Sequence, residues 1–433
     1  MEHEKFSTVA QSLIRIFGVS ALDAVGRETG FCQRHRLVTA SRLVLGLLEV
    51  MASGTARCIA DLHRGFNALA GTTVQYKPFH NQLAKPAFAT LMRTVLGRAL
   101  EELAVEALRF SPESPFAQFA HICIQDGTSF AVKPALADRY PGRFTAISPA
   151  AVELHVDLNL LEERVNRVVM TPDCATERTF LPEAEAVTGG LLLADRGYFD
   201  TGYLRTLSQT GGHFIVRAGT GINPLVLRAT GPDGRAIKGA ANQPLKTLLT
   251  KLGKLDHADL WVRFESKGQG FECRIVAHPN PKEGRLRYLV TNLDPDVFSP
   301  AHISDAYRLR WQIELLFKEW KSFAGLHRFD TANPHIVEGL IWAALCAATL
   351  KRYCAHRTQH LFEVAVSTQR VAKCIHHVLR NILAALLYEP DRLPHHVEHA
   401  LRYLAGNAQR AHPDRDRKTG RLKLGLEHVY LGA

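Results

Sequence analysis

Residues 307–321 read YRLRWQIELLFKEWK and carry two patterns on one predicted helix. Four polar side chains share an arc of about 60° at 100° per residue. They are Tyr307, Arg310, Glu314 and Lys321. A separate apolar stripe covers about 100° of the helix; it consists of Leu309, Ile313, Leu316, Phe317 and Trp320. Such a stripe packs against a core, so the polar face must point to solvent or into a site. Taken alone, the pattern fits an ordinary amphipathic helix with a solvated polar face. The upstream sequence must decide whether this face meets solvent or lines a site.

Length, charge and cysteine usage narrow the class of protein. A chain of 433 residues exceeds what one hydrophobic core usually supports, so we expect about two to four domains. The formal net charge of +11 favours a polyanionic partner such as nucleic acid over an acidic small substrate. Eight cysteines are scattered without CxxC pairs, which favours a reduced, cytoplasmic setting over a disulfide framework.

Neither a signal peptide nor a membrane span is predicted. The opening Met1–Lys5 is charged and no leader-like apolar run follows it. The longest apolar run, Gly339–Leu350, falls short of the roughly 20 residues that span a bilayer. We therefore expect this run to be a buried helix.

Residues 1–115 are predicted to be a helical region that binds DNA. Helical periodicity covers Val9–Phe17, Leu37–Met51 and Phe88–Leu108. Breaks are expected at Gly18, Gly54, Gly71 and Pro86. Basic residues lie in the connecting segments: Arg34, His35, Arg36, Arg57, Arg64 and Lys77. A DNA-reading module and a plain helical scaffold both fit, because no helix-turn-helix signature distinguishes them.

Residues 116–220 change to alternating strands and helices. The predicted strands are His121–Thr128, Val152–Leu161, Val165–Met170, Leu191–Asp195 and His213–Arg217, and the predicted helices are Thr176–Val187, which Pro182 can break, and Tyr203–Gln209. The first three strands form an antiparallel meander. This order is that of the ribonuclease-H-like fold. Asp126, before a glycine turn, and Asp195 both fall at the carboxyl ends of strands, where chemistry gathers in open α/β sheets.

The rest of the chain is predicted to hold a β-rich insertion and a second helical region. Residues 221–299 contain short strands at Leu225–Ala229, Leu260–Ser266, Glu272–Ala277 and Arg287–Thr291. Residues 300–335 return to the core with the Glu314 helix. Residues 336–433 are helical to about Leu404 and end in a basic tail, Arg410–Lys423. That tail is either a mobile basic arm or a solvated terminus.

Asp126, Asp195 and Glu314 can form a carboxylate cluster that holds hard divalent cations. Mg²⁺ is the natural occupant, and two such ions about 4 Å apart can activate an attacking oxygen and stabilise a leaving oxygen at a phosphate. The chemistry is phosphodiester hydrolysis or transesterification. Arg310, Lys321 and the Tyr307 hydroxyl can contact backbone phosphates.

Three other carboxylates compete for such a role. Asp157 alternates with polar neighbours and is expected to be solvated, while Glu319 points away from the Glu314 face. Asp305 is interpreted as a helix cap. The two cysteine–histidine clusters, at 354–356 and 374–377, lack the paired spacing of structural zinc.

Three motifs in order resemble the DDE transposases of bacterial insertion sequences, in particular the insertion-sequence-4 family. The first is Asp126-Gly127-Thr128, and the second is Asp195-Arg196-Gly197-Tyr198. The third is the Tyr-x2-Arg-x3-Glu-x6-Lys signature of residues 307–321, which matches in full. The resemblance covers roughly residues 120–325, including a β insertion between the second and third acidic positions.

The resemblance implies a ribonuclease-H-like core that binds two Mg²⁺ or Mn²⁺ ions through Asp126, Asp195 and Glu314. It implies strand cleavage at transposon ends and strand transfer into target DNA. Its partners would be double-stranded DNA and a second copy of the chain in a synaptic complex, in the cytoplasm of a bacterium at the nucleoid. Residues implied to contact DNA are Tyr307, Arg310 and Lys321 at the terminal phosphates, then Arg196 and Arg217.

Two alternatives remain open at the level of sequence. A catalytically silent regulator derived from a transposase would bind DNA without cutting it, which the basic charge alone permits. A ribonuclease-H-like nuclease would cut DNA without joining it. The intact acidic trio favours an enzyme over the regulator.

Overall fold

A computed structural model describes residues 2–33, 37–54, 56–266, 268–280, 285–325 and 330–430. Arg34, His35 and Arg36, which we interpreted as linker residues that could contact DNA, lie outside the described residues. The helices are α1 (Glu2–Phe17), α2 (Val19–Glu28), α3 (Ala40–Ser53), α4 (Ile59–Ala70), α5 (Tyr76–Leu83), α6 (Pro86–Glu102), α7 (Thr201–Gln209), α8 (Leu249–Leu252), α9 (Pro300–Arg308), α10 (Trp311–Glu319), α11 (Pro334–Phe362), α12 (Thr368–Cys374), α13 (His376–Tyr388), α14 (Leu393–Asn407) and α15 (Pro413–Lys418). The strands are β1 (Leu108–Phe110), β2 (Ile122–Ala131), β3 (Ala151–Asn159), β4 (Arg164–Pro172), β5 (Leu191–Ala194), β6 (His213–Ala218), β7 (Leu225–Thr230), β8 (Gln243–Pro244), β9 (Ala258–Ser266), β10 (Gln269–Asn280), β11 (Arg285–Thr291) and β12 (Leu426–His428).

One large mixed sheet organises the chain, in the order β4-β3-β2-β5-β6-β11-β10-β9-β7-β8. Strands β2, β5 and β6 run parallel, and β2, β3 and β4 form the predicted antiparallel meander. All four residues of β5 are buried, because both faces of the sheet are covered there. The fold is therefore mixed α/β, and each of the five strands predicted in residues 116–220 is present.

The four strands predicted in the insertion also form, and they belong to the same sheet. β11 pairs antiparallel with β6, so the insertion covers the edge that β6 would otherwise expose. The buried Arg274 holds the junction together. Its guanidinium donates to both carboxylate oxygens of Asp259, at 2.8 and 2.6 Å, and to the carbonyl of Phe298 at 2.6 Å.

The helices of both chain ends pack together on one face of the sheet. Helix α11 lies along α6 and α3, and α14 packs on α1. Leu154, Val156 and Leu193 belong to the same core as these helices, whereas Leu192 and Phe214 face a second core on the other side of the sheet, with α7 and the insertion. The N- and C-terminal helical regions thus stabilise each other through a shared core.

Close packing of α11 on α6 makes Gly339 sensitive to substitution. A Cβ atom at this position would overlap the fully buried ring of Phe88. We expect Gly339→Ala to lower the free energy of unfolding by about 2 kcal/mol, although alanine is favoured in helix interiors by about 1 kcal/mol. Urea unfolding measures the difference. Gly97→Ala in α6 is the matched control, because a Cβ there meets nothing within 4 Å; equal stability of the two variants would contradict the packing.

Two predicted helices differ from the structure. The helix predicted to reach Leu108 ends at Glu102, because the chain turns there to place Leu108 in strand β1. Thr176–Val187 forms no α-helix. It forms two short 3₁₀ turns, Glu177–Phe180 and Ala184–Val187, with Pro182 between them, since proline supplies no amide hydrogen for a continuous helix.

The C-terminal tail is docked at its end, which its interpretation as a mobile arm or solvated terminus did not anticipate, although its basic residues Arg415, Arg417, Lys418 and Lys423 are exposed. Strand β12 pairs antiparallel with β1. The buried Arg421 side chain forms an ion pair with Glu163, and Lys423 donates to Asp305 at 2.6 Å. Backbone pairing and a buried ion pair, neither visible in a charge run, hold the tail in place.

We expect acid to weaken the docking of the C-terminal tail, because His428 in β12 is held partly buried in its neutral form. Burial, and then the charges of Arg421, Arg410 and Arg417, lower the pKa of His428 to about 3. Neither ring nitrogen has a hydrogen-bond partner among the residues described. Unfolded chains protonate histidine near its ordinary pKa, roughly 6.5, so the unfolded state binds more protons as the pH falls below that value. We expect His428 to account for a loss of about 2 kcal/mol of stability between pH 7 and pH 5.

Urea unfolding of the wild type and His428→Leu at both pH values tests this assignment. The variant should lose less stability on acidification, because its unfolded state lacks this proton uptake. Carboxyl groups with raised pKa values, such as Glu153, titrate in both proteins and cancel in the comparison. An identical loss in both proteins would show that His428 is not the titrating group.

The predicted buried run, Gly339–Leu350, lies inside α11 and its side chains are largely buried. One helical stretch, Glu4–Glu28, is long and apolar enough to cross a membrane by length and composition, and 56% of its apolar window is buried in the protein. Its apolar side chains, among them Phe6, Val9 and Leu13, belong to the helical core. All eight cysteines are free thiols.

Candidate catalytic site

Asp126 and Asp195 lie level with each other on neighbouring parallel strands. Gln125 of β2 pairs with Ala194, the last residue of β5, so the next residue of each strand is an aspartate. The sequence interpretation placed a strand end and a glycine turn at Asp126-Gly127, and this was wrong, because β2 continues to Ala131. The space beside Asp126 opens because β5, not β2, ends there and turns away through a 3₁₀ turn.

The predicted single helix at residues 307–321 is two helices and a turn. Helix α9 ends at Arg308 and α10 begins at Trp311. Between them the amide of Arg310 donates to the carbonyl of Tyr307 at 3.1 Å, three residues back. Side chains three residues apart eclipse in such a tightened turn, and the guanidinium of Arg310 lies 5.9 Å from the centre of the Tyr307 ring. The polar face survives the break because of this tightening.

The same break corrects the interpretation of Asp305. Ser299 caps α9, accepting from the amide of His302 at 3.2 Å, so Asp305 lies inside the helix and is not its cap. It pairs with Lys423. Glu319 does point away from the polar face: it is buried and pairs with Arg352 at 3.2 Å. The five apolar stripe residues are all buried, as predicted.

Two side chains of the polar face, Tyr307 and Arg310, contact the two aspartates. The Tyr307 hydroxyl donates to Asp195 Oδ1 at 3.0 Å. Arg310 Nη1 forms an ion pair with Asp126 Oδ2 and lies 3.5 Å from Glu314 Oε1. One cationic nitrogen thus bridges oxygens of two acidic residues that are 188 positions apart in the chain.

The remaining sequence candidates lie at different distances from this centre. Arg217 Nη1 is 3.9 Å from Asp195 Oδ1. Lys321 is half-buried in a π-helical turn, Trp320–Ala324, and burial lowers its pKa while the charge of Glu314 raises it. Arg196 is exposed and its methylene groups approach Gly219. The structure therefore brings Arg217 to the acidic residues and turns Arg196 toward solvent.

Electrostatics at the site favour a bound cation. Burial raises the pKa of Asp126 to about 7, and the charges of Glu314 and Asp195 act in the same direction. Arg310 and the amide of Gly127, which donates to Asp126 Oδ1 at 2.9 Å, oppose this rise. A buried carboxylate among other carboxylates needs positive charge to remain ionised near neutral pH.

The donor set suits a hard divalent cation. All three acidic side chains offer oxygen, the ligand atom that Mg²⁺ and Mn²⁺ prefer. Within the described part of the chain no three acidic, histidine or cysteine side chains converge closely enough to hold a metal ion as they stand. Arg310 lies between Asp126 and Glu314, and its Nη1 supplies the positive charge that contacts both carboxylates.

A buried polar layer lies behind Asp126, and sequence reasoning missed it. His155 contacts the Tyr198 hydroxyl at 3.4 Å and Thr171 Oγ1 at 3.0 Å. Gly127 lies against this layer, since an added Cβ would be 2.8 Å from Glu153 Oε1. The sequence feature that could have indicated this layer is Tyr198, the last residue of the Asp-Arg-Gly-Tyr motif, whose hydroxyl contacts His155.

Asp157, on the same strand, was predicted to be solvated, and this was wrong. Only 9% of Asp157 is exposed, and burial raises its pKa. Every residue of β3 is buried. Its polar and apolar residues therefore face two different buried layers, and neither face of the strand meets solvent. Asp157 belongs to the layer on the far side of the sheet from the Leu154 and Val156 core.

Comparison with known proteins identifies the class. The transposase DDE domain family matches residues 118–350, more than half of the chain. The chain belongs to this family. It is a DDE transposase, an enzyme that acts on DNA and depends on divalent metal ions.

Named relatives agree with this assignment. The transposase for insertion sequence element IS231D of Bacillus thuringiensis subsp. finitimus is 23% identical over 378 residues, covering 76% of this chain and 77% of that protein. The transposase for insertion sequence element IS1151 of Clostridium perfringens is 20% identical over 364 residues, 74% of each chain. The protein named "Putative transposase InsL for insertion sequence element IS186A" of Escherichia coli (strain K12) is 44% identical over 161 residues, 37% of this chain and 40% of that protein.

Proposed function

We propose that the chain cleaves DNA at the ends of an insertion sequence and transfers the ends into target DNA. The catalytic centre we assign is Asp126, Asp195 and Glu314 on a ribonuclease-H-like core. The observation that supports it is the bridging of Asp126 and Glu314 by one nitrogen of Arg310, beside an aspartate held by Tyr307. Strand order β4-β3-β2-β5-β6, with β2, β5 and β6 parallel to one another and β3 antiparallel to β2, supports the core assignment.

Two Mg²⁺ or Mn²⁺ ions are the proposed cofactors, held by Asp126, Asp195 and Glu314. When bound, they would activate the attacking oxygen and stabilise the leaving oxygen of an in-line displacement at phosphorus. The protein fixes Asp126 within strand β2, Asp195 directly after the end of β5, and Glu314 on a helix whose other face is buried. Rigid placement lowers the cost of assembling the charged site during the reaction.

Tyr307, Arg310 and Lys321 are proposed to bind the DNA phosphates at the reacting end. Arg310 is 13% exposed at its side chain and already neutralised by acidic partners. With a metal ion held by Asp126 and Glu314, the Arg310 guanidinium would be available to a phosphate, to which it can donate two hydrogen bonds. Arg217 beside Asp195 and the exposed Arg196 extend this basic surface.

The other regions are assigned roles by position and charge. Residues 1–115 are proposed to bind the inverted repeats; residues 116–220 and 300–335 form the core, 221–299 the insertion, and 336–433 the C-terminal helical region. Exposed basic residues on the first region include Arg64 and Lys77. We propose a homodimer that holds two DNA ends in one synaptic complex, in the bacterial cytoplasm at the nucleoid.

Incubating the full chain with a DNA fragment that carries the element's own ends tests this function. With Mg²⁺ or Mn²⁺ we expect nicks at the ends and joined products with a target plasmid, and with EDTA neither. Nicks without joined products would favour a nuclease, and binding without nicks would favour a silent regulator. Sequencing the joined products locates the reacting phosphates.

A further inference from the structure

A basic cleft opens beside the candidate catalytic site, between the α9–α10 turn and the docked C-terminal tail. Its volume is about 420 Å³. Its charged lining consists of Arg287, Asp305, Arg308, Arg310, Arg421 and Lys423. Tyr307 also lines it, so the cleft and the site share a wall.

Two of the five cations have acidic partners outside the lining. Arg310 pairs with Asp126, and Arg421 pairs with Glu163. The Arg421 pair is buried, and strand β12, which begins five residues further on at Leu426, pairs with β1. The wall formed by the tail is therefore held in position before any ligand arrives.

For the other three cations the lining contains one carboxylate, that of Asp305. Arg308 is 3.4 Å and Lys423 2.6 Å from Asp305, while Arg287 comes from strand β11. Arg287 Nε is buried and has no hydrogen-bond partner within the described ranges. One acid cannot neutralise three cations, and a buried donor without a partner is costly unless a ligand supplies an acceptor.

The size of the cleft selects the form of the ligand. Sites of a few hundred cubic ångströms hold small molecules or a short segment of a polymer. A DNA duplex, whose major groove alone measures about 12 Å across, would lie over the mouth of a cleft of this volume, whereas one strand can enter it. A basic groove that tracks a phosphate backbone is how proteins bind single strands without reading their sequence.

We propose that this cleft binds the phosphodiester backbone of a single DNA strand that continues from the reacting end, with Arg287, Arg308 and Lys423 as its phosphate contacts. The inference rests on the proposed function in one respect, namely that the ligand is DNA. It assigns a DNA-binding role to the C-terminal tail. The strand would leave the catalytic centre past Tyr307 and pass between α9 and residues 419–424.

Arg308→Gln/Lys423→Gln tests the proposal, because both side chains are well exposed, at 73% and 47%, and the fold should tolerate their replacement. Binding of the full-length chain is measured by fluorescence anisotropy without divalent metal, on a blunt DNA end and on the same end with a single-stranded extension. We expect the wild type to bind the extended probe more tightly. The variant should bind that probe about tenfold more weakly. The slope of log affinity against log salt concentration should fall in magnitude by about one to two, because one or two phosphate contacts are lost. Affinity for the blunt probe should be unchanged.

Arg417→Gln/Lys418→Gln is the matched control. It removes the same charge from exposed residues of the same tail that do not line the cleft. Equal losses in the two double variants, or no loss with Arg308→Gln/Lys423→Gln, would overturn the proposal. Because binding is measured without metal, failure of the chain to cleave DNA would contradict the catalytic proposal and leave this result unaffected.

Discussion

Replacing Glu314 by glutamine should abolish DNA cleavage and leave the fold intact. The Glu314 side chain is 39% exposed, and glutamine keeps its shape while removing the negative charge. Loss of one charged group that stabilises a transition state costs roughly 10²–10³-fold in rate. We expect a loss of at least about 10³-fold in Mg²⁺, measured as nicking of a labelled transposon end, because a metal ligand also positions the ion.

Glu319→Gln separates chemistry from stability on the same helix. Glu319 is buried and pairs with Arg352 at 3.2 Å, so its replacement leaves a buried charge without its partner and should lower the free energy of unfolding. Cleavage by the folded protein should remain. Undiminished nicking by Glu314→Gln, or equal loss of nicking in both variants, would rule out Glu314 as a catalytic residue.

Replacing Arg310 by alanine should have opposite effects on metal binding and on cleavage. Without DNA, Arg310 occupies the oxygens of Asp126 and Glu314 that a cation would bind, so metal and guanidinium compete. We expect Mn²⁺ to bind about tenfold more tightly to the variant, ~1.4 kcal/mol. Cleavage should fall by roughly 10²-fold, since the phosphate loses its bidentate partner.

Electron paramagnetic resonance of free Mn²⁺ measures the affinity independently of activity. Arg310→Lys is the control, because lysine keeps the charge and loses the planar pair of donors. It should bind Mn²⁺ as the wild type does and recover only part of the cleavage. Unchanged Mn²⁺ affinity in Arg310→Ala would show that the guanidinium does not compete with the metal.

The sequence was informative about strands and about the spacing of the acidic residues. Strands β2 to β6 were predicted because short apolar runs between turn residues have few other ways to fold in a covered sheet. The interpretation of Asp157 failed for a related reason. Alternation of polar and apolar residues shows that a strand has two different faces, and it does not show that one of them meets water.

Helix boundaries were harder to predict from the sequence than strands. The turn at Leu309–Arg310 leaves the three-residue spacing from Tyr307 to Arg310 intact, so a helical wheel cannot detect it. Thr176–Val187 had helical composition, but Pro182 and the short path from β4 to β5 left only 3₁₀ turns. The tail at residues 410–423 had the charge of a solvated terminus, and the neutralising partners Glu163 and Asp305 lie far away in the chain.

The sequence by itself determined that residues 307–321 are largely helical, which face of this segment is buried, and the motif spacing on which the proposed trio of Asp126, Asp195 and Glu314 rests. These follow from local periodicity and motif spacing. Only the tertiary structure decided that Asp126 is exposed to the site by the end of the neighbouring strand, that Arg310 lies between the acidic residues, and that the C-terminal tail forms one wall of a basic cleft. Each of these depends on contacts between segments distant in the chain, and local sequence patterns carry no information about which distant segment will supply the partner.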